Sequence, residues 1–117
     1  PPGAIACVPR PHVDVATISD GPGRLRVTIT AQSTPGTGNA ASNRLARVTI
    51  VSAGNAAVEA GQPLVQVASP LVLASRPAST TLWVRRLDPA LATTVQLLID
   101  DDCGQWPTFV GGGPGSF

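Results

Sequence analysis

Lysine, methionine and tyrosine are all absent from this sequence of 117 residues, and charged residues make up only 13% of it. Its eight basic residues are all arginine, and its formal net charge is +1. Basic side chains so few and so scattered do not form the positive patch by which proteins bind nucleic acid or anionic membranes. No apolar run approaches the roughly 20 residues that a helix needs to cross a bilayer. We therefore predict neither nucleic-acid binding nor membrane insertion.

The same scarcity argues against catalysis, because an enzyme needs groups that titrate or attack. His12 is the only histidine and Glu59 the only glutamate. His12 and Asp14 share one face of a predicted strand, as a base and its orienting carboxylate would, but we expect both to face solvent. No Gly-x-Ser-x-Gly nucleophile elbow is present, and no lysine follows the glycines of residues 111–115 as in a phosphate loop. We predict no enzymatic activity and no catalytic residue.

Cysteine is also scarce, with only Cys7 and Cys103 near the two ends of the sequence. One such pair predicts a secreted domain closed by a disulfide, which in the chain-entropy model stabilises the fold by about 4–5 kcal/mol. The alternative is two buried free thiols in a cytosolic protein. The start Pro1-Pro2-Gly3, without methionine or an apolar signal, indicates a removed leader or a fragment of a longer protein. We expect an extracellular or cell-surface location.

What the sequence does contain is alternation. Apolar and polar residues alternate over residues 24–31 and 94–100, as in half-buried antiparallel strands. Turn sequences such as Gly21-Pro22-Gly23 and Gly61-Gln62-Pro63 separate the alternating runs. We predict an all-β fold, a single antiparallel immunoglobulin-like β-sandwich of about seven strands with one disulfide joining its ends. Residues 88–92 form the one helical candidate, a single turn that we expect to connect two strands.

The ends of the sequence differ in composition from its alternating body. The last part carries three of the four aromatic residues, Trp106, Phe109 and Phe117. A flexible solvated tail is not normally so aromatic, so we expect these side chains to dock on their own domain or on a neighbour. The predicted parts are an N-terminal extended segment, the β-sandwich domain and a C-terminal aromatic, glycine-rich tail: residues 1–11, 12–103 and 104–117.

Three motifs together resemble a known kind of module. They are Cys7-Val8-Pro9-Arg10-Pro11, Gly23-Arg24-Leu25-Arg26-Val27-Thr28 and Asp102-Cys103-Gly104-Gln105-Trp106-Pro107-Thr108-Phe109-Val110-Gly111-Gly112-Gly113. The sequence resembles a C-terminal β-sandwich module of secreted multidomain bacterial proteins, generally without an assigned function, and the last motif is its specific part. The resemblance implies an extracellular, immunoglobulin-like accessory module with paired cysteines. It transfers no catalytic residue.

Two clusters are candidate binding sites. Asp100, Asp101 and Asp102 are a weak candidate for Ca²⁺, which favours several carboxylate oxygens, but adjacent residues converge only in a loop. The alternative is a solvated strand end, and we expect no other cofactor. Trp83 and Trp106 resemble a sugar-stacking platform, although a core tryptophan beside a disulfide is commoner in sandwiches. We favour core packing for both.

For function, we predict a secreted, non-enzymatic structural protein, a self-assembling extracellular subunit of filament or surface-layer type. Its copies would be held together by strand or tail exchange between sandwiches. The alternative is an accessory cell-surface or carbohydrate-binding module of a larger secreted protein, whose tail folds back on its own domain and whose binding surface is the loop of residues 32–43. The predicted assembly contacts are the apolar residues of the two ends: Pro2, Ile5, Val8, Trp106, Phe109, Val110 and Phe117.

Overall fold

The computed structural model describes residues 12–32 and 43–117, and within these ranges every regular element is a β-strand. Alternating burial along the strands follows the alternation of apolar and polar residues in the sequence, most regularly in residues 24–31 and 93–101. The strands of the described residues are β1 (Val13–Ser19), β2 (Arg24–Ala31), β3 (Leu45–Gly54), β4 (Ala56–Ala60), β5 (Val65–Gln66), β6 (Leu71–Val72), β7 (Ser79–Arg86), β8 (Thr93–Asp101) and β9 (Gly104–Gly112).

The strands form two antiparallel sheets. The five-stranded sheet has the order β1-β2-β7-β4-β5, and the four-stranded sheet has the order β6-β3-β8-β9. The prediction of an all-β antiparallel fold is confirmed, while the immunoglobulin-like topology stays a prediction. Seven of the strands have five or more residues, and β5 and β6 are additional strands of two residues each.

The core lies between the sheets and is built from both of them. Full burial of one aliphatic side chain stabilises a fold by roughly 1.5–3 kcal/mol, so the shared core holds the two sheets together. The buried cluster contains Val13, Leu25, Val27, Ile29, Ala31, Leu45, Val48, Val58, Leu82, Val84, Val95, Leu97, Ile99 and Val110.

The segment predicted to be a C-terminal tail outside the sandwich is a strand of it. Strand β9 pairs with β8 along its whole length, from Asp101 opposite Gly104 to Thr93 opposite Gly112. Val110 is 6% exposed and belongs to the core. The boundary placed after residue 103 is therefore a hairpin turn, and Trp106, Val110 and Phe117 pack on their own domain, whereas Phe109 is exposed.

A glycine permits the close pairing at the end of β9. Gly111 has a φ of +143°, and a Cβ atom at this position would lie 2.0 Å from the carbonyl oxygen of Thr93. Only glycine fits this approach without moving the backbone. The glycines of the C-terminal motif, which looked like a linker in the sequence, are thus part of the sheet's geometry.

Several predictions concern residues outside the described part of the structure. The contacts assigned to Pro2, Ile5 and Val8 lie there, as does Cys7. The pairing of Cys7 with Cys103 therefore stays a prediction. So does the binding loop of residues 32–43, of which Gln32 and Asn43 alone are described.

Candidate functional site on the five-stranded sheet

The single histidine is buried, not exposed, and its partner is distant in sequence. His12 is 1% exposed, and its Nδ1 atom is hydrogen-bonded to Oδ2 of Asp101, 89 residues away. Asn43 donates its side-chain amide to the same carboxylate oxygen at 2.9 Å. The expectation that His12 and Asp14 both face solvent is wrong for His12, because a buried carboxylate on β8 supplies the polar partner that it needs there.

This buried cluster ties several parts of the chain together. Asp101 also accepts a hydrogen bond from the backbone N–H of Cys103 at 2.9 Å, and the indole of Trp106 meets the imidazole edge-on at 6.1 Å between ring centroids. Asn43 accepts the N–H of Asp102 at 3.1 Å. With the imidazole closed to solvent, the geometry suits a structural role at the end of the sandwich.

The three consecutive aspartates do not converge. Asp100 lies 3.9 Å from Arg47, Asp101 is paired with His12, and Asp102 forms an ion pair with Arg76. The side chains alternate along the end of β8, so each meets a different partner. Within residues 12–32 and 43–117, no group of three or more His, Cys, Asp or Glu side chains is placed to hold a metal ion. The weak Ca²⁺ candidate therefore has no converging ligand set.

At the opposite end of the sandwich, a buried arginine contacts the residues that follow β9. Arg86 is 7% exposed and donates to the Thr93 hydroxyl at 3.0 Å and to the carbonyl of Gly113 at 2.8 Å. Its guanidinium also lies over the ring of Phe117, 4.3 Å from the centroid. Phe117, predicted to contact another subunit, thus packs within its own domain.

The two tryptophans belong to different sheets and do not form a joint platform. Trp106 is opposite the buried Ile99 and packs against the core, as predicted. Trp83 lies between the buried residues Leu82 and Val84 of β7, so its side chain points away from the core. The prediction of core packing for Trp83 is therefore wrong, because the inward positions of β7 are filled by aliphatic residues.

A row of side chains crosses the outer face of the five-stranded sheet through Trp83. Residues directly opposite each other on paired strands share a face of the sheet. By that rule the row runs from Ile18 through Arg26, Trp83 and Glu59 to Gln66. The indole Nε1 atom donates to Asp20 Oδ2 at 2.7 Å, so the hairpin that joins β1 to β2 holds the ring.

Two more arginines flank this row. Arg24 and Arg85 are opposite each other, and both contact Glu59, with Nη2 of Arg24 at 3.5 Å and Nε of Arg85 at 3.1 Å. Glu59 is only 9% exposed, whereas the arginine side chains are 37% and 44% exposed. Nε of Arg24 and Oε1 of Glu59 are buried without a hydrogen-bond partner. This arrangement leaves the cations at the surface and the carboxylate beneath them.

We call this surface the Trp83 face, and its residues are Asp20, Arg24, Arg26, Glu59, Trp83 and Arg85. It holds three cations and two carboxylates, and both carboxylates already have protein partners. Arg24 and Arg26 alternate with apolar residues on β2, as do Trp83 and Arg85 on β7. The sequence pattern does not reveal that β2 pairs with β7, and this pairing is what brings these four side chains together.

A second surface lies on the four-stranded sheet. Phe109 is 66% exposed on β9, the edge strand of that sheet. It borders a shallow groove of about 340 Å³ lined by residues 92–94 and 109–113. Of the four tail residues predicted to contact a neighbouring copy, Phe109 is the one whose side chain is largely exposed.

Comparison with known proteins does not assign the chain to a family. No family model, no curated protein and no solved structure matches it. The described residues include no helix with the length and apolarity needed to cross a membrane.

Proposed function

We propose that this chain is a secreted, non-enzymatic binding module, an accessory cell-surface or carbohydrate-binding unit that engages its ligand through the Trp83 face. The observation that carries the proposal is the outward position of Trp83 in a row between Arg26 and Glu59. An aromatic ring flanked by hydrogen-bonding side chains offers a sugar both a stacking surface and polar partners.

The position of the C-terminal residues also favours a binding module over tail exchange. Val110 is in the core of its own domain, and Phe117 lies under Arg86. Exchange of this segment between copies would first have to break its pairing with β8. The His12–Asp101 pair is likewise engaged inside the fold, which supports a role that needs no acid–base chemistry.

Binding to insoluble polysaccharides and bacterial envelope fragments in a sedimentation assay tests the proposal. The wild-type chain is expected to sediment with at least one of them, and the Trp83→Ala variant to remain in the supernatant. Phe109→Ala is the matched control, because it removes an exposed aromatic ring from the other sheet. Circular dichroism of each variant establishes that it is folded. Equal sedimentation of all three proteins, or of none, contradicts the proposal.

Self-assembly is the second candidate, favoured by one specific observation. Phe109 is 66% exposed on β9, which within residues 12–32 and 43–117 is an edge strand of its sheet, and edge strands can pair with a strand of another chain. Electron microscopy and light scattering of the purified chain test it. Filaments or stable oligomers that disappear in Phe109→Ala but persist in Trp83→Ala would replace the binding proposal with assembly through β9.

A further inference from the structure

We infer that the ligand of the Trp83 face is a carboxylate-bearing sugar, an acidic glycan of the uronic-acid class. This inference rests on the proposed function and adds the chemistry of the ligand. It starts from the balance of charge on the face, where three guanidinium groups stand against two carboxylates that are both engaged by protein groups.

Arg26 is the cation with the most freedom to bind. It is exposed, and within the described ranges no carboxylate lies within ion-pair distance of it. Its planar guanidinium presents parallel N–H donors, which match the two oxygens of a carboxylate. Arg26 is directly opposite Trp83 on the neighbouring strand. A sugar stacked on the indole would therefore carry its carboxylate within reach of Arg26.

Arg24 and Arg85 extend the cationic surface beside this pair. Both remain more than one-third exposed although each contacts Glu59. Nε of Arg24 and Oε1 of Glu59 lack hydrogen-bond partners, so the pair is incompletely satisfied in the free protein. Buried polar groups usually have such partners. The contact of Arg24 with Glu59 is therefore weak, and a ligand carboxylate could draw the Arg24 side chain outward.

The same features argue for a sugar over other polyanions. The net charge of +1 and the absence of lysine give little of the broad positive field on which nucleic-acid binding depends. An acidic peptide would satisfy the arginines, but it would not need the ring of Trp83. The juxtaposition of the indole with the guanidinium of Arg26, which has no carboxylate partner within the described residues, fits a ring-shaped ligand that bears a carboxylate.

Affinity electrophoresis and calorimetry with polygalacturonate and alginate, each compared with its carboxyl-reduced neutral form, test the inference. We expect wild-type protein to bind at least one acidic polymer. Its affinity for the reduced form should be lower by about tenfold or more, because one charge-assisted contact is lost. Arg26→Gln is expected to weaken binding to the acidic polymer by about the same factor and to reduce its salt dependence. Arg47→Gln, which removes an exposed arginine from the other sheet, is expected to bind as wild type.

The other outcomes separate this inference from the proposed function. Equal binding to the acidic and reduced polymers, abolished by Trp83→Ala, overturns the acidic ligand and keeps a carbohydrate-binding module. Binding of poly-glutamate as tight as that of the glycans, and unaffected by Trp83→Ala, shows a ligand recognised by charge alone and overturns the sugar. Binding to none of these polymers overturns the inference, while the envelope sedimentation assay still decides the proposed function.

Discussion

The guanidinium of Arg86 lies over the ring of Phe117, 4.3 Å from its centroid, so the last residue of the chain packs on a buried cation of β7. Arg86 also donates to the carbonyls of Gly112 and Gly113 at 3.2 and 2.8 Å. One arginine thereby binds both the end of β9 and the residues after it. Residues 112–117 are held by directional contacts in addition to apolar packing.

Removing the Phe117 ring should measurably destabilise the fold. A partly desolvated cation–π contact is worth about 1–2 kcal/mol, and the ring also packs against the core. We expect Phe117→Ala to lower the free energy of unfolding by about 2 kcal/mol in urea denaturation. Phe109→Ala is the control, since Phe109 is 66% exposed, and its change should stay within about 0.5 kcal/mol. Equal effects of the two substitutions would show that the Arg86 contact contributes little.

The two neighbouring aspartates at the end of β8 should differ sharply in their effect on stability. Asp101 accepts hydrogen bonds from His12, Asn43 and the N–H of Cys103. Asparagine at this position would present an NH₂ group to donors, so Asp101→Asn should cost on the order of 3 kcal/mol. Asp102 pairs with Arg76, whose side chain is 52% exposed.

Asp102→Asn is the matched control, because it makes the same chemical change one residue away. An ion pair with an exposed arginine contributes about 0–1 kcal/mol, and the amide oxygen of asparagine can still accept the N–H of Arg44 that Asp102 accepts at 3.1 Å. We therefore expect this variant to unfold close to the wild-type midpoint. Thermal and urea denaturation followed by circular dichroism measure both variants. A loss for Asp101→Asn no larger than that for Asp102→Asn would mean that the buried cluster does not stabilise the fold.

The contrast between these aspartates also shows how far the sequence alone could lead. Alternation along residues 24–31 and 94–100 predicted strands with the correct buried faces, because side-chain direction in a strand depends only on local position. Strand β9 was missed because its glycines and Pro107 are residues typical of a linker. The pairing that gives those glycines a function, Gly111 against Thr94, is not a local property.

The candidate site was less predictable for the same reason. The outward position of Arg26 followed from alternation, whereas Trp83 was expected in the core. The two residues are separated by 56 others, and only the pairing of β2 with β7 makes them neighbours. His12 and Asp101 are 89 residues apart, and so their partnership left no pattern in the sequence. Contacts between distant strands are determined by topology, which alternation does not specify.

Asn55 offers a test of backbone geometry at the turn between β3 and β4. It has a φ of 56°, and its side chain donates to the carbonyl of Asp88 at 2.8 Å and accepts the N–H of Asp88 at 2.7 Å. Both Asn55→Ala and Asn55→Gly lose these hydrogen bonds. Alanine is strained in the left-handed backbone, whereas glycine adopts it without strain. We expect the alanine variant to be about 1 kcal/mol less stable than the glycine variant by urea denaturation. The reverse order would mean that the backbone at residue 55 relaxes freely.

Two glycines near the end of β9 provide the sharpest steric comparison. A Cβ atom at Gly111 would lie 2.0 Å from the carbonyl oxygen of Thr93, and its φ of +143° is unfavourable for other residues. At Gly113 a Cβ atom would have no neighbour within 4 Å. Gly111→Ala must therefore separate β9 from β8 locally, which we expect to cost about 2–4 kcal/mol. Gly113→Ala should change stability by about 0.5 kcal/mol or less.

Hydrogen exchange distinguishes local separation of β9 from general loss of stability in Gly111→Ala. Backbone amides that are hydrogen-bonded between β8 and β9 should exchange faster than those hydrogen-bonded between β2 and β7, because the substitution disturbs one edge of the four-stranded sheet. Wild-type protection along β9 in this variant would contradict the close approach of Gly111 to Thr93. The binding proposal expects strand β9 and the Trp83 face to act independently. In that case the β9 amides alone lose protection in Gly111→Ala, and the Trp83 face still binds its ligand. Assembly through β9 makes no such requirement.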